Sequence, residues 1–138
     1  MRYVAFQTDL FFTDIPDDQL DHWFVGGDCA GWFYARLLPD IHITDHYGPG
    51  MEDWGWTMAV KVDDLVVWIN TWQYIDRGQS WILGIEAKKR MFKKVTASRL
   101  ESAQTIVENR IQAILDADTR FASFGWSNEH PLDTPAMK

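Results

Sequence analysis

Two β-rich runs, residues 53–62 and 65–74, are separated by only Asp63 and Asp64. A two-residue connection folds such runs back on each other as a hairpin. Asp-Asp is weaker turn chemistry than Asn-Gly, so the register rests mainly on the pattern of apolar residues. If Val62 faces Leu65, then Val60 faces Val67, Met58 faces Ile69 and Trp56 faces Thr71. Alternation along a strand then sorts the side chains. Trp54, Trp56, Met58, Val60, Val62, Leu65, Val67 and Ile69 fall on one side, the expected core face. On the other side Trp72 stands opposite Gly55 and Trp68 opposite Ala59. Each indole therefore has bare backbone beside it to lie on. Trp68, Trp72 and Tyr74 form an aromatic row on this second face, covered if the N-terminal helices pack on it and open to a partner if they do not.

The remaining elements follow from local signals. Residues 3–8 read as a strand. Asp14 ahead of Ile15-Pro16-Asp17-Asp18 is a helix start, with acids in the first turn where the helix dipole favours them. That helix, residues 16–25, ends by Gly26-Gly27. Asp28 is placed to cap a second helix, 29–38, stopped by Pro39. Residues 41–44 alternate as a strand, and Tyr47-Gly48-Pro49-Gly50 reads as a loop. A strand at 80–87 can present Trp81, Leu83 and Ile85 to either face. A long helix then starts at Ala97 or Arg99 and runs to Ala117. Ser98 and Glu101 form its capping-box pattern, and Leu100, Ala103, Val107, Ile111 and Ile114 its apolar stripe. Residues 121–126 read as a last strand, and 127–138 as a loose tail carrying two prolines. The expected fold is α+β, ordered β-α-α-β-β-β-β-α-β. It has one domain over 1–126, a mostly antiparallel sheet of five or six strands, two short N-terminal helices and one long C-terminal helix.

Charge is distributed unevenly in this 138-residue chain. Of its 20 acidic and 13 basic residues, 13 acidic but only three basic lie before Arg77, so the net charge of −7 comes from the N-terminal part. Lys88, Lys89, Arg90, Lys93, Lys94 and Arg99 gather much of the positive charge into one stretch. An acidic body with pI near 4.9 opposes phosphate-backbone binding, so nucleic acid is not an expected partner. No apolar run reaches membrane-spanning length, and a charge interrupts the N-terminus before a signal-peptide core could form. Cys29 is the only cysteine. A single thiol forms no internal disulfide and no Cys-based zinc site, which fits a reducing cytoplasm.

No established catalytic pattern is present. His42, Asp45, His46 and Glu52 are metal-capable types, but His at i and i+4 on a strand stand roughly 13 Å apart. Neither a metal nor a cofactor is expected. Gly26-Gly27-Asp28 lacks the lysine of a phosphate loop and puts an acid where phosphate would sit. Cys29 at a helix start is weighed as a nucleophile or as a small apolar core residue, with Asp28 opposing activation.

The most distinctive string is Glu52-Asp53-Trp54-Gly55-Trp56, with Gly31-Trp32 upstream. Two carboxylates beside indoles suit a cation, a sugar or a partner's arginine. The string resembles one found in small uncharacterised bacterial α+β proteins; that resemblance implies a fold class and carries over no functional residue. The binding candidates are Glu52, Asp53, Trp54, Trp68, Trp72 and Tyr74. The reading that follows is a non-catalytic protein-binding module, in one concrete form an immunity- or antitoxin-like protein that neutralises a basic toxin. The alternatives are a ligand-binding domain or enzyme with an aromatic, acidic pocket around residues 52–56, and a homodimer that buries the aromatic face against itself.

Overall fold

The computed structural model describes residues 1–11, 26–52, 54–73, 80–89 and 94–130. Within them the chain forms β1 (Arg2–Gln7), α1 (Gly27–Leu37), β2 (Ile43–Glu52), β3 (Gly55–Val62), β4 (Leu65–Gln73), β5 (Ser80–Lys88), α2 (Ala97–Ala117) and β6 (Ala122–Ser127). The strands make one sheet in the order β2-β3-β4-β5-β1-β6, and every neighbouring pair is antiparallel. This is the expected α+β class. The helix expected at residues 16–25 lies outside the described residues, as do Asp53, Tyr74 and the tail from residue 131.

The central hairpin has the register that the apolar pattern dictates. Val62 pairs with Leu65, Val60 with Val67, Met58 with Ile69 and Trp56 with Thr71. Asp63 and Asp64 take φ values of 47° and 68°, the left-handed conformation that tight hairpin turns demand. Aspartate tolerates that region better than most residues, which is why the pair serves without glycine.

Both helices pack on one face of the sheet. Phe33 and Leu37 of α1 and Val107 and Ile111 of α2 join Met58, Val60, Val67, Ile69, Leu83, Ile85, Val4 and Phe6 in a single core, all at 0–1% exposure. Trp81 turns into this core and meets Phe11 edge-on at 5.6 Å. The topology explains the one-sided layer. Two crossovers join parallel strands, β1 to β2 through α1 and β5 to β6 through α2. β1 and β5 run in opposite directions, and the two crossovers move across the sheet in opposite directions. Crossovers of the same hand therefore place both helices on the same side. The helix predicted at 29–38 thus lies on the core face and does not cover Trp68 and Trp72.

Three local expectations are corrected. The segment Tyr47-Gly48-Pro49-Gly50 is not a loop but the middle of β2. Register shifts between Ile43 and Asp45 and between Tyr47 and Gly50 mark two bulges, which absorb the breakers. An edge strand tolerates proline because one side of its ladder is unpaired. The cap of α2 is Thr96, whose hydroxyl accepts from the Arg99 N–H at 3.2 Å; Ser98 sits inside the first turn. Asp28 likewise lies in the first turn of α1, and Gly26 is its N-cap. The glycines there serve packing: a Cβ on Gly27 would stand 2.7 Å from Cζ2 of Trp56. They let the start of α1 close on the indole.

Among the described residues, no helix is long and apolar enough to cross a membrane.

Candidate functional site

The face of the sheet opposite the helices carries the aromatic residues left out of the core. The register arranges them in rows that cross the strands. One row runs Tyr47, Ala59, Trp68, Glu86 through β2, β3, β4 and β5. The next row toward the β3–β4 turn is Asp45, Lys61, Val66, Lys88. On the other side lies Gly50, Thr57, Asn70, Gly84, in which the Thr57 hydroxyl donates to Asn70 Oδ1 at 2.8 Å. Among the described residues no helix packs on this face.

Trp72 is the centre of a ring cluster at one end. Its indole spans three strands: Cδ1 would lie 3.6 Å from a Cβ on Gly55 of β3, and Cζ3 2.9 Å from one on Gly84 of β5. Two glycines thus supply the bed that the sequence suggested only at Gly55. Trp54 stacks on it at 5.1 Å with a 34° tilt, Tyr3 approaches at 6.1 Å, and His130 meets it edge-on at 5.0 Å. Trp54 was expected on the core face with Trp56. It instead occupies the turn between Glu52 and Gly55, where strand alternation does not govern direction, and it swings to the opposite side. Glu52 is exposed at the end of β2, across from Gly55.

Trp68 occupies the other end. With Tyr47, Val66, Lys88 and Lys89 it lines a hollow of about 430 Å³. Trp54 and Tyr47 are 43% and 44% exposed, high values for such large rings, while Ala59 of β3 and Ile82 of β5 on the same face are fully buried. The structure thus places Trp54, Trp68, Trp72 and Glu52 on or beside one surface. Asp53 and Tyr74 fall outside the described residues. Sequence reasoning missed Tyr3, Tyr47 and His130. Tyr47 was hidden by the Gly-Pro-Gly that follows it, and Tyr3 needs the β1–β5 pairing to be placed.

The chemistry of this face is contact chemistry: flat rings, one amide–hydroxyl pair, the acids Asp45, Glu52 and Glu86, and the lysines 61, 88 and 89. The candidate reactive groups lie elsewhere. Cys29 is fully buried in the first turn of α1, and burial followed by the charge of Asp28 raises its thiol pKa well above the ordinary value. That thiol is a core residue, not a nucleophile. His46 points toward the helix layer, where Nδ1 pairs with the Tyr34 hydroxyl at 2.5 Å and ties β2 to α1. Burial, then the nearby Asp45, raise the Tyr34 phenol. Among the described residues no three His, Cys, Asp or Glu side chains are placed to hold a metal ion. On the helix side, Arg2 bridges Glu108 at 2.8 Å and Asn128 at 2.9 Å. Burial raises the Glu108 carboxyl even though Arg2 pulls the other way.

Comparison with known proteins gives no match: no family model fits the chain, and neither a curated protein nor a solved structure matches it.

Proposed function

We propose that this chain is a non-catalytic protein-binding module that engages its partner through the sheet face on which no described helix packs. Trp54, Trp68 and Trp72 are its anchors, with Glu52, Asp53 and Tyr74 completing the contact set. The observation that carries this reading is the row of indoles on the face away from both helices. A domain with a core already closed on one side gains little for its own stability by displaying Trp54 at 43% exposure beside the partly exposed Trp68 and Trp72, and such patches mark interaction sites. The partner is basic. Among the described residues the face balances three acids against three lysines, so attraction comes from the whole molecule, whose net charge of −7 steers a cationic partner toward it. In its concrete form this is an immunity- or antitoxin-like protein acting in the cytoplasm on a basic toxin.

The test compares wild type with a Trp68→Ala/Trp72→Ala double variant of matched folded content, both immobilised and exposed to the proteins of the native host. Loss of one aromatic anchor costs about 2 kcal/mol of binding, roughly thirtyfold in Kd. The reading expects a basic protein retained by wild type, lost by the double variant, and weakened by added salt. A captured protein indifferent to both tryptophans contradicts it. A wild-type dimer in light scattering that the double variant dissolves replaces it with self-association.

A further inference from the structure

We infer that the Trp54 corner of this face receives an arginine side chain of the partner, with the guanidinium lying on the indole and paired to the Glu52 carboxylate. This rests on the partner-binding reading and adds which chemical group one end of the face selects. Trp54 meets Trp72 at 5.1 Å with a 34° tilt, its one ring contact among the described residues. The residue is still 43% exposed, more than an indole closed on both sides would leave. Gly55 beside Trp72 is buried, so a guest lies on the rings and not between them. Glu52 ends β2 and pairs with Gly55 in the ladder. Paired residues point to the same side of a sheet, so the Glu52 side chain shares the face of Trp72. Glu52 is exposed, and among the described residues no hydrogen bond or ion pair engages its carboxylate.

The charge layout selects a cation here. Asp53 follows Glu52 in the sequence. The lysines of the face stand at its other end. Lys61 lies six residues along β3 from Gly55, and Lys88 pairs with Val66, six residues along β4 from Trp72. Six residues of strand span roughly 20 Å, about twice the screening length of roughly 8–10 Å at physiological salt, so these lysines do not offset Glu52. Arg2 is engaged on the helix side, where it bridges Glu108 at 2.8 Å. Among the described residues the face is thus acidic at its Trp54 end although balanced as a whole. Arginine fits this corner better than lysine. A guanidinium is flat and weakly hydrated, so it lies on an indole where an ammonium keeps its water. Its fork also meets a carboxylate with two parallel hydrogen bonds. The chain itself shows the first of these geometries, with Arg36 over the Trp32 ring at 3.6 Å.

The test is an NMR titration of the full chain, followed at the indole N–H resonances, with three capped tripeptides: Gly-Arg-Gly, Gly-Lys-Gly and Gly-citrulline-Gly. The arginine peptide should shift the Trp54 and Trp72 signals saturably, with a Kd of about 1 mM. The lysine peptide, charged but not flat, and the citrulline peptide, flat but uncharged, should each bind about tenfold more weakly. Glu52→Gln, an exchange at an exposed position that leaves the fold intact, should bring arginine and citrulline to equal affinity. Trp54→Ala should remove the preference for arginine over lysine, and Lys88→Gln, at the other end of the face, should change nothing. Equal binding of the three peptides to wild type, shifts confined to indoles other than Trp54 and Trp72, or an arginine preference untouched by Glu52→Gln overturns the proposal. The partner-binding reading fails separately. A host protein captured through Trp68 and Trp72, with no arginine preference at Trp54, refutes the arginine corner alone. Selective arginine binding at Trp54, with no host protein that depends on Trp68 and Trp72, refutes the partner surface and keeps the corner.

Discussion

Gly55→Ala is the most telling single substitution, because it sets one methyl group against the β3–β4 register. A Cβ at this position would lie 2.5 Å from the backbone oxygen of Thr71, about 1 Å inside a comfortable contact of roughly 3.5 Å. The obstacle is a main-chain carbonyl in a paired strand, so no side-chain rotation relieves it. The end of the ladder where Trp56 pairs with Thr71 must open, at the cost of one or two hydrogen bonds worth about 1 kcal/mol each. The indole of Trp72, resting beside Gly55, loosens as well, and overpacking of this kind costs about 1–3 kcal/mol. Lower chain entropy in the unfolded state offsets about 0.5–1 kcal/mol. The net loss is about 2 kcal/mol, or about 6–8 °C in Tm for a chain of this length. Urea and thermal unfolding followed by circular dichroism measure it. Gly31→Ala is the control: nothing lies within 4 Å of its Cβ, and in the middle of α1 it should gain about 1 kcal/mol. If Gly55→Ala matches wild type in both assays, Gly55 does not press against β4 and the reasoning about the face fails.

Thr71 is fully buried and among the described residues its hydroxyl has no hydrogen-bond partner, so the isosteric Thr71→Val should stabilise by about 1 kcal/mol in chemical denaturation; a loss of stability would mean the hydroxyl is satisfied. Thr96→Ala should cost about 1 kcal/mol and Ser98→Ala almost nothing, since only Thr96 accepts from the start of α2; equal losses would return the cap to Ser98. Hydrogen bonds from Arg120 pull the Asp118 carboxyl down to about 2. With the folded value lowered, this pair supports the fold above the unfolded aspartate value of about 3.9, and the support fades as pH falls toward the folded value. NMR titration of Arg120→Ala should return Asp118 to the ordinary carboxylate range, and an unchanged midpoint would remove Arg120 as the cause.

The hairpin was legible because two independent signals agree on it: a two-residue gap fixes the turn, and the alternation of Met58, Val60, Val67 and Ile69 fixes the register. The apolar stripe of α2 was legible for the same reason, its spacing being long and regular. β2 was not, because an edge strand with two bulges loses alternation and can carry Gly-Pro-Gly without penalty. Trp54 was misplaced since a turn residue is not bound by the two-residue period. The side taken by α1 could not be read from its own sequence at all. It follows from strand order, and strand order depends on β1 inserting between β5 and β6, a long-range pairing without a local signature. Half of the candidate face was thus visible as soon as the hairpin was drawn, and Tyr3, Tyr47 and His130 needed the assembled sheet.

The indoles of Trp54, Trp68 and Trp72 lie on the sheet face on which no described helix packs, while Trp81 lies in the core. Hydroxyl-radical footprinting read by mass spectrometry measures this side chain by side chain in the intact protein. Rapid oxidation of Trp54, Trp68 and Trp72 with Trp81 protected until the chain is unfolded is the predicted result. Protection of Trp68 and Trp72 equal to that of Trp81 would mean the face is covered, and the binding surface proposed for it would not exist.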